Sequence, residues 1–397
     1  MPTLLSSGRP LALALAALAA SAPPAAQTSY GYDGGSAGSV MTQAGPVVVQ
    51  ALVDGDLDHP WGMAFLPDGR LLVTERPGRL RILGTDGELS GAVEGTPTVF
   101  AQGQGGLLDV ALDPDFAEND LVYLSYARPG PEGSAATALG RGRLVTGGAD
   151  GEARLDGFEV LFTQEPYVTG PNHFGSRIAF SPDGHVFLTT GERFQFDPAQ
   201  DLSNHLGTVV RLNRDGSVPD DNPFVGDPDA EPEVWSYGHR NVESAAIDPE
   251  TGDLWIAEMG PLGGDELNRP EPGRNYGWPV VSWGINYDGT AIPDPPTRPD
   301  FADAATHWSP VISPSGMAFY TGRVFPEWTG SAFIGSLSRE GVVRVRLDGG
   351  AVAEEEVVPL GARVRDVEQG PDGYLYLLTD QDDGDLWRLA PLEAEDE

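Results

Sequence analysis

The chain of 397 residues contains no cysteine and no lysine. The first absence excludes disulfides, thiolate metal sites and a lipid-bearing N-terminal cysteine, so stability must rest on packing and on hard-ligand metal ions. The second makes arginine the only fixed side-chain cation, and 60 acidic residues outnumber 24 basic ones for a formal charge of −36. A surface of that sign repels phosphate backbones and anionic headgroups, which excludes nucleic acid and membrane surfaces as partners and leaves cations and neutral molecules. It is also a solvated, halophile-like surface whose self-repulsion salt would screen. Long apolar runs are scarce. Only Leu11 to Ala20 forms one, too short to span a bilayer, and no membrane insertion is expected. Arg9 precedes it and small residues and prolines follow, so residues 1–27 read as an export signal, with a disordered leader as the alternative. Ala20-Ser21-Ala22 has the small-x-small form of a cleavage site, although cutting there would leave Pro23 first. The expectation is a periplasmic or secreted protein: a flexible segment over 28–44, one repetitive domain over 45–391 and an acidic tail over 392–397.

What is abundant is turn chemistry, with 52 glycines and 35 prolines beside 40% hydrophobic residues. One unit recurs, a Pro-led turn followed by a strand, first as Pro67-Asp68-Gly69 before Arg70–Glu75. It returns at Pro114-Asp115 before Leu121–Ser125, at Pro182-Asp183-Gly184 before Val186–Thr190 and at Pro249–Gly252 before Leu254–Glu258. Two more are Pro326–Gly330 before Ala332–Gly335, and Pro371-Asp372-Gly373 before Tyr374–Leu378. Proline sets one turn dihedral, glycine supplies a positive one, and β-branched, aromatic and aliphatic residues follow, the pattern of a hairpin. Strands flank several units, as in Trp61–Phe65 before the turn and Leu80–Ile82 after it. Six units of three or four strands predict an all-β, six-bladed β-propeller, with a two-domain β-sandwich as the alternative. Turn spacing is uneven, so insertions are expected around Gly130–Gly151 and Asp288–Ala305, where one face can build a site.

Function has to be read from polar, glycine-rich stretches that a plain hairpin does not need. These are Gly103–Leu108 around Gln104, Asn172–Arg177 around His173, Tyr237–Asn241 with Arg240 and Asn241, and Glu258–Glu266 followed by Asn275–Pro279. Arg363 and Arg365 stand two apart, which on a strand points both guanidinium groups to one face.

In this order, from about Pro60 to about Leu389, these stretches resemble the soluble quinoprotein glucose and aldose sugar dehydrogenases. The resemblance implies a six-bladed propeller with pyrroloquinoline quinone flat on its top face, oxidising an aldose at the anomeric carbon to the lactone. It makes His173 the general base, a role suited to a group titrating near neutrality; outside such a motif a loop histidine is ordinarily structural. It makes Gln104, Arg240, Asn241, Tyr287, Ser338, Arg363 and Arg365 cofactor contacts, and arginine forks suit a cofactor with three carboxylates. It assigns the carbonyls of Gly260 and Pro261 to one calcium, and Glu266 with the carbonyl of Tyr276 to a second, hard-oxygen donors that match that ion. Ser338, with Arg339 beside it, stands where members often carry a lysine, and Asn172 where some carry an acid. The implied partners are an aldose and an unidentified electron acceptor, on a monomer or homodimer. Two alternatives stay open: a calcium-dependent lactonase on a propeller, and a non-catalytic propeller that binds carbohydrate or protein.

Overall fold

A computed structural model describes residues 35–147, 153–292 and 296–392. Their strands form six antiparallel sheets arranged as a six-bladed β-propeller. The innermost strands are Pro60–Phe65, Leu107–Leu112, Ile178–Phe180, Val242–Ile247, Pro314–Phe319 and Val364–Gln369. Each touches the next around the ring, and the sixth touches the first. The repeat was legible because its turn chemistry is local: each recurring strand proves to be the second of its blade, as with Leu71–Glu75, Leu254–Glu258 and Leu375–Thr379. At the first such turn Gly69 takes φ 89°, and its N–H donates to the Leu66 carbonyl at 2.9 Å.

Strand number varies more than the sequence suggested. The first blade has three strands and the second and sixth have five. Most of the stretch read as an insertion over Gly130–Gly151 is regular strand, Ser134–Val145, which Arg154–Thr163 extends outward; residues 148–152 lie outside the described chain. Of the segment over 28–44, residues 28–34 lie outside the described residues, and 35–44 differ from the expected flexible stretch. Gly35–Thr42 is a strand paired with Gly45–Leu57, which in turn pairs with the C-terminal strand Gly384–Pro391. Strands from near the two ends of the described chain thus share one blade and close the ring, with Gly35–Thr42 as that blade's outermost strand. The leader at 1–27 and nearly all of the acidic tail lie outside the described residues.

Apolar residues sit between blades rather than within them. Tyr123, Leu139 and Phe162 of the second pack on Ile178, Val186 and Leu212 of the third, and Val47 and Val49 of the closing strand join Trp328 and Phe333 of the fifth. At the axis one rung of the inner strands is polar: Arg177 Nη1 pairs with Asp109 at 3.1 Å and Asp366 at 2.8 Å, all three buried. Gly62 shares that rung, where a Cβ would come 2.7 Å from Asp109 Oδ1, so the ring closes tightly only with glycine there.

Candidate active site

The second strand of each blade ends at the same face of the propeller, and acids collect at or just past those ends: Glu75, Glu192, Glu258 and Asp380. His173 lies in the loop entering the third blade, with φ 56°. Its Nδ1 is 2.6 Å from Oε1 of Glu192, a fully buried carboxylate whose Oε2 accepts the Phe196 N–H at 2.8 Å. Glu192 thus holds the proton on Nδ1 and leaves Nε2 as a lone-pair site without a hydrogen-bond partner among the described residues. Burial lowers the imidazole pKa below its ordinary value; the Glu192 bond opposes this and the Arg240 charge adds to it. The ring is therefore neutral, and able to accept a proton, at neutral pH.

Two further residues fix this loop. Gln104 Oε1 accepts the His173 backbone N–H at 2.6 Å. Arg193, 1% exposed, donates to the carbonyls of Asn172, Ala135 and Gly170 at 2.8, 2.6 and 2.5 Å and lies 3.7 Å over the Phe174 ring. It is a buried cation with no carboxylate partner among the described residues, and burial pushes its pKa down to about 10. Among the described residues ten non-glycine residues have positive φ, and His173, Ser176, Arg193, Phe194, Phe196 and Ser313 are among those in the loops of this face. Left-handed backbone persists only where surrounding bonds impose it, which marks these loops as built for position.

Gln104 also lines a cavity of about 280 Å³, together with Arg363, Arg365, Asp380, Glu243 and Trp61, among others. Arg363 and Arg365 do point to one side, as their spacing predicts, and share Asp380: Arg363 Nη2 is 2.6 Å from Oδ2, and Arg365 Nη2 is 2.9 Å from Oδ1. Burial alone would raise the Asp380 pKa, but Arg365 and Arg363 more than offset it and hold the carboxyl far below the usual range. Arg365 also meets Glu243 Oε2 at 2.5 Å, and Asn241 Nδ2 donates to Glu243 Oε1 at 2.9 Å. With both amide atoms engaged, Oδ1 by the Gly175 N–H at 3.0 Å, Asn241 serves as a strut between loops.

A second cavity of about 480 Å³ is lined by Arg240, Tyr287, Phe194, Phe196, Pro261 and Asp197, among others. Tyr287 is 57% exposed, stacks on Phe194 with centroids 6.3 Å apart, and accepts a bond from Arg240 Nη2 at 3.2 Å. The His173 ring packs edge-on against Phe194 at 5.1 Å. His173 thus contacts one lining residue of each cavity, Gln104 of the first and Phe194 of the second.

The metal assignments divide. Gly260, Glu266 and Tyr276 line one small cavity of about 10 Å³ together with Glu258, room for about one water-sized species. Burial, and then the Glu258 charge, push the Glu266 carboxyl up to about 8. Asn268, which donates to both carboxylates, has a buried Oδ1 without a partner. Two carboxylates lining one small space, bridged by an amide with an orphaned oxygen, suit a hard cation. Gly260 and Pro261 are not brought to one cavity: Pro261 lines the aromatic one, and the Gly260 carbonyl accepts Arg240 Nη1 at 3.0 Å. Ser338 is exposed and outside the central lining, although it hydrogen-bonds Ser313, which belongs to it. Glu192, Arg193, Glu243 and Asp380 escaped the sequence reading.

The model of the Glucose / Sorbosone dehydrogenase family matches residues 57–388. The chain belongs to that family. It is a sugar-oxidising oxidoreductase. The aldose sugar dehydrogenase YliI of Escherichia coli (strain K12) is 44% identical over 354 residues, 88% of this chain and 94% of the relative. A crystal structure of a glucose dehydrogenase superposes with a TM-score of 0.83 at 48% identity, covering 87% of this chain and 99% of that one. The PQQ-bound form of an aldose sugar dehydrogenase from Streptomyces coelicolor gives 0.71 at 30% identity, covering 87% and 98%. Among the described residues no helix is long and apolar enough to cross a membrane.

Proposed function

We propose that this enzyme oxidises aldoses at the anomeric carbon to lactones, with His173 as general base and pyrroloquinoline quinone as its cofactor. The observation that carries the reading is the buried Glu192 on Nδ1 of His173, which leaves Nε2 without a hydrogen-bond partner among the described residues, in a loop whose backbone is held by Gln104 of the arginine-lined cavity. When bound, the quinone supplies an oxidant for the anomeric C–H. His173 Nε2 takes the hydroxyl proton, and Glu192 stabilises the imidazolium that results, as an acid behind a catalytic histidine does. Gln104 and the Arg363–Arg365 pair line a cavity whose cationic rim fits a polycarboxylate, so they would hold the cofactor, with Arg240 at the border of the second cavity. The aromatic faces of Phe194 and Tyr287, with Asp197 and Asn286 for hydroxyls, suit the sugar on its approach.

Calcium belongs in the same proposal, held by Glu266 with Glu258 and the Tyr276 loop; Gly260 and Pro261 retain a supporting place beside Arg240. The lactonase alternative wants metal-binding carboxylates on the axis, whereas here Arg177 occupies the gap between Asp109 and Asp366. Export, an unidentified electron acceptor and a monomeric or homodimeric state complete the proposal.

The test is oxidation of an aldose deuterated at C1. A primary isotope effect on kcat/KM, with lactone as the first product by NMR, is expected. Oxidation at another carbon, without an effect from C1, would contradict the reading.

A further inference from the structure

The central cavity holds a third arginine that neither the motifs nor the resemblance singled out. Arg76 follows Glu75, which ends a second strand, much as Arg193 follows Glu192 three residues past the second strand of the third blade. The two differ in what they touch. Arg193 is consumed by three carbonyls. Arg76 lines the cavity, donates from Nη1 to the Gly103 carbonyl at 2.7 Å, and keeps a buried Nε with no hydrogen-bond partner.

Charge sharpens the contrast. The lining carries Arg76, Arg363 and Arg365 against Glu243 and Asp380, and both acids are bound to Arg363 or Arg365. The surplus positive charge therefore resides on Arg76, which forms no ion pair among the described residues. Its backbone is fixed: the N–H donates to His59 O at 3.0 Å and the carbonyl accepts Leu107 N–H at 3.0 Å. A cation held in place, partly desolvated and lacking an anion is preorganised for one.

We propose that Arg76 is the principal carboxylate-binding cation of the cofactor cavity. It supplies from the first blade the positive charge that Ser338, exposed and outside the lining, does not provide. This rests on the quinone reading above.

The test uses the full chain as apoprotein with calcium, titrated with pyrroloquinoline quinone while tryptophan emission is followed, since Trp61 lines the cavity. Arg76→Gln keeps a donor for the Gly103 carbonyl and removes the charge, whereas Arg76→Lys keeps the charge. The glutamine variant should bind about ten- to a hundredfold more weakly, with a shallower dependence of Kd on salt and an unchanged apoprotein melting temperature. The lysine variant should recover most of the affinity. If Arg76→Gln binds as the parent does, or if it binds weakly only because its apoprotein melts early and Arg76→Lys shares both defects, Arg76 is a clamp on the Gly103 loop and the assignment falls. A parent that does not quench at all would overturn the cofactor reading, and this assignment with it.

Discussion

Glu192 Oε1 lies 2.6 Å from Nδ1 of His173, and the carboxylate is completely buried. One acid thereby decides the tautomer, the orientation and the proton affinity of the imidazole. Replacing it with the isosteric amide, Glu192→Gln, lets the side chain donate to Nδ1 and moves the ring proton to Nε2. Steady-state kcat should then fall by about 10²- to 10⁴-fold, with the apoprotein fold retained by circular dichroism. A variant with near-parental kcat would show that His173 is not the base.

The pH dependence follows from the direction of the His173 shift. The base is active when neutral, hence above its pKa, and burial has moved that pKa below 6.5. The acidic limb of kcat/KM should therefore lie below the ordinary histidine range, with activity lost only as pH falls through it. Because the Arg240 charge contributes to the lowering, Arg240→Met should move the His173 titration upward. NMR titration of the apoprotein reads this directly, and a downward move would contradict the account.

Arg193 offers a stability test. Removing it leaves three carbonyls without their donor, those of Asn172 and Gly170 in the loop and that of Ala135 in the neighbouring strand, at about 1–3 kcal/mol for each buried group left unsatisfied. Arg193→Met should lower the urea midpoint clearly and reduce kcat in the surviving folded protein, since the loop it holds carries His173. An unchanged midpoint would mean that the loop is held by other bonds.

The paired carboxylates Glu258 and Glu266 predict a calcium response. Millimolar calcium should raise the apoprotein melting temperature by several degrees, because binding to the folded state alone stabilises it by about 2.7 kcal/mol at a hundredfold excess over Kd. In Glu266→Gln the response should largely vanish. A full response in that variant would place the ion elsewhere.

The propeller was legible in the sequence because Pro67-Asp68-Gly69 and its five counterparts encode hairpins locally, without help from the rest of the chain. Closure was not, because the pairing of Val49 with Leu389 joins residues from opposite ends, and nothing local in Gly35–Thr42 announces a partner. The site divides similarly. His173, Gln104 and the arginine pair sit in distinctive polar stretches, whereas Glu192, Glu243 and Asp380 look like ordinary acids in a chain that has 60. A signal was present all the same. Glu75, Glu192, Glu258 and Asp380 each stand at or within three residues of the end of a second strand, and three of the four contact a residue named from the motifs: Glu192 reaches His173, Glu258 the backbone of Arg240, and Asp380 both Arg363 and Arg365.

The central claim is sugar oxidation on a bound quinone with His173 as base. Its most direct test is dye-linked oxidation of an aldose panel by purified apoprotein, with pyrroloquinoline quinone and calcium added singly and together, for the parent and for His173→Ala. The account predicts turnover only when both are present, and a fall of at least about 10²-fold in the alanine variant. Turnover without the quinone, or a His173→Ala enzyme as fast as its parent, would contradict it.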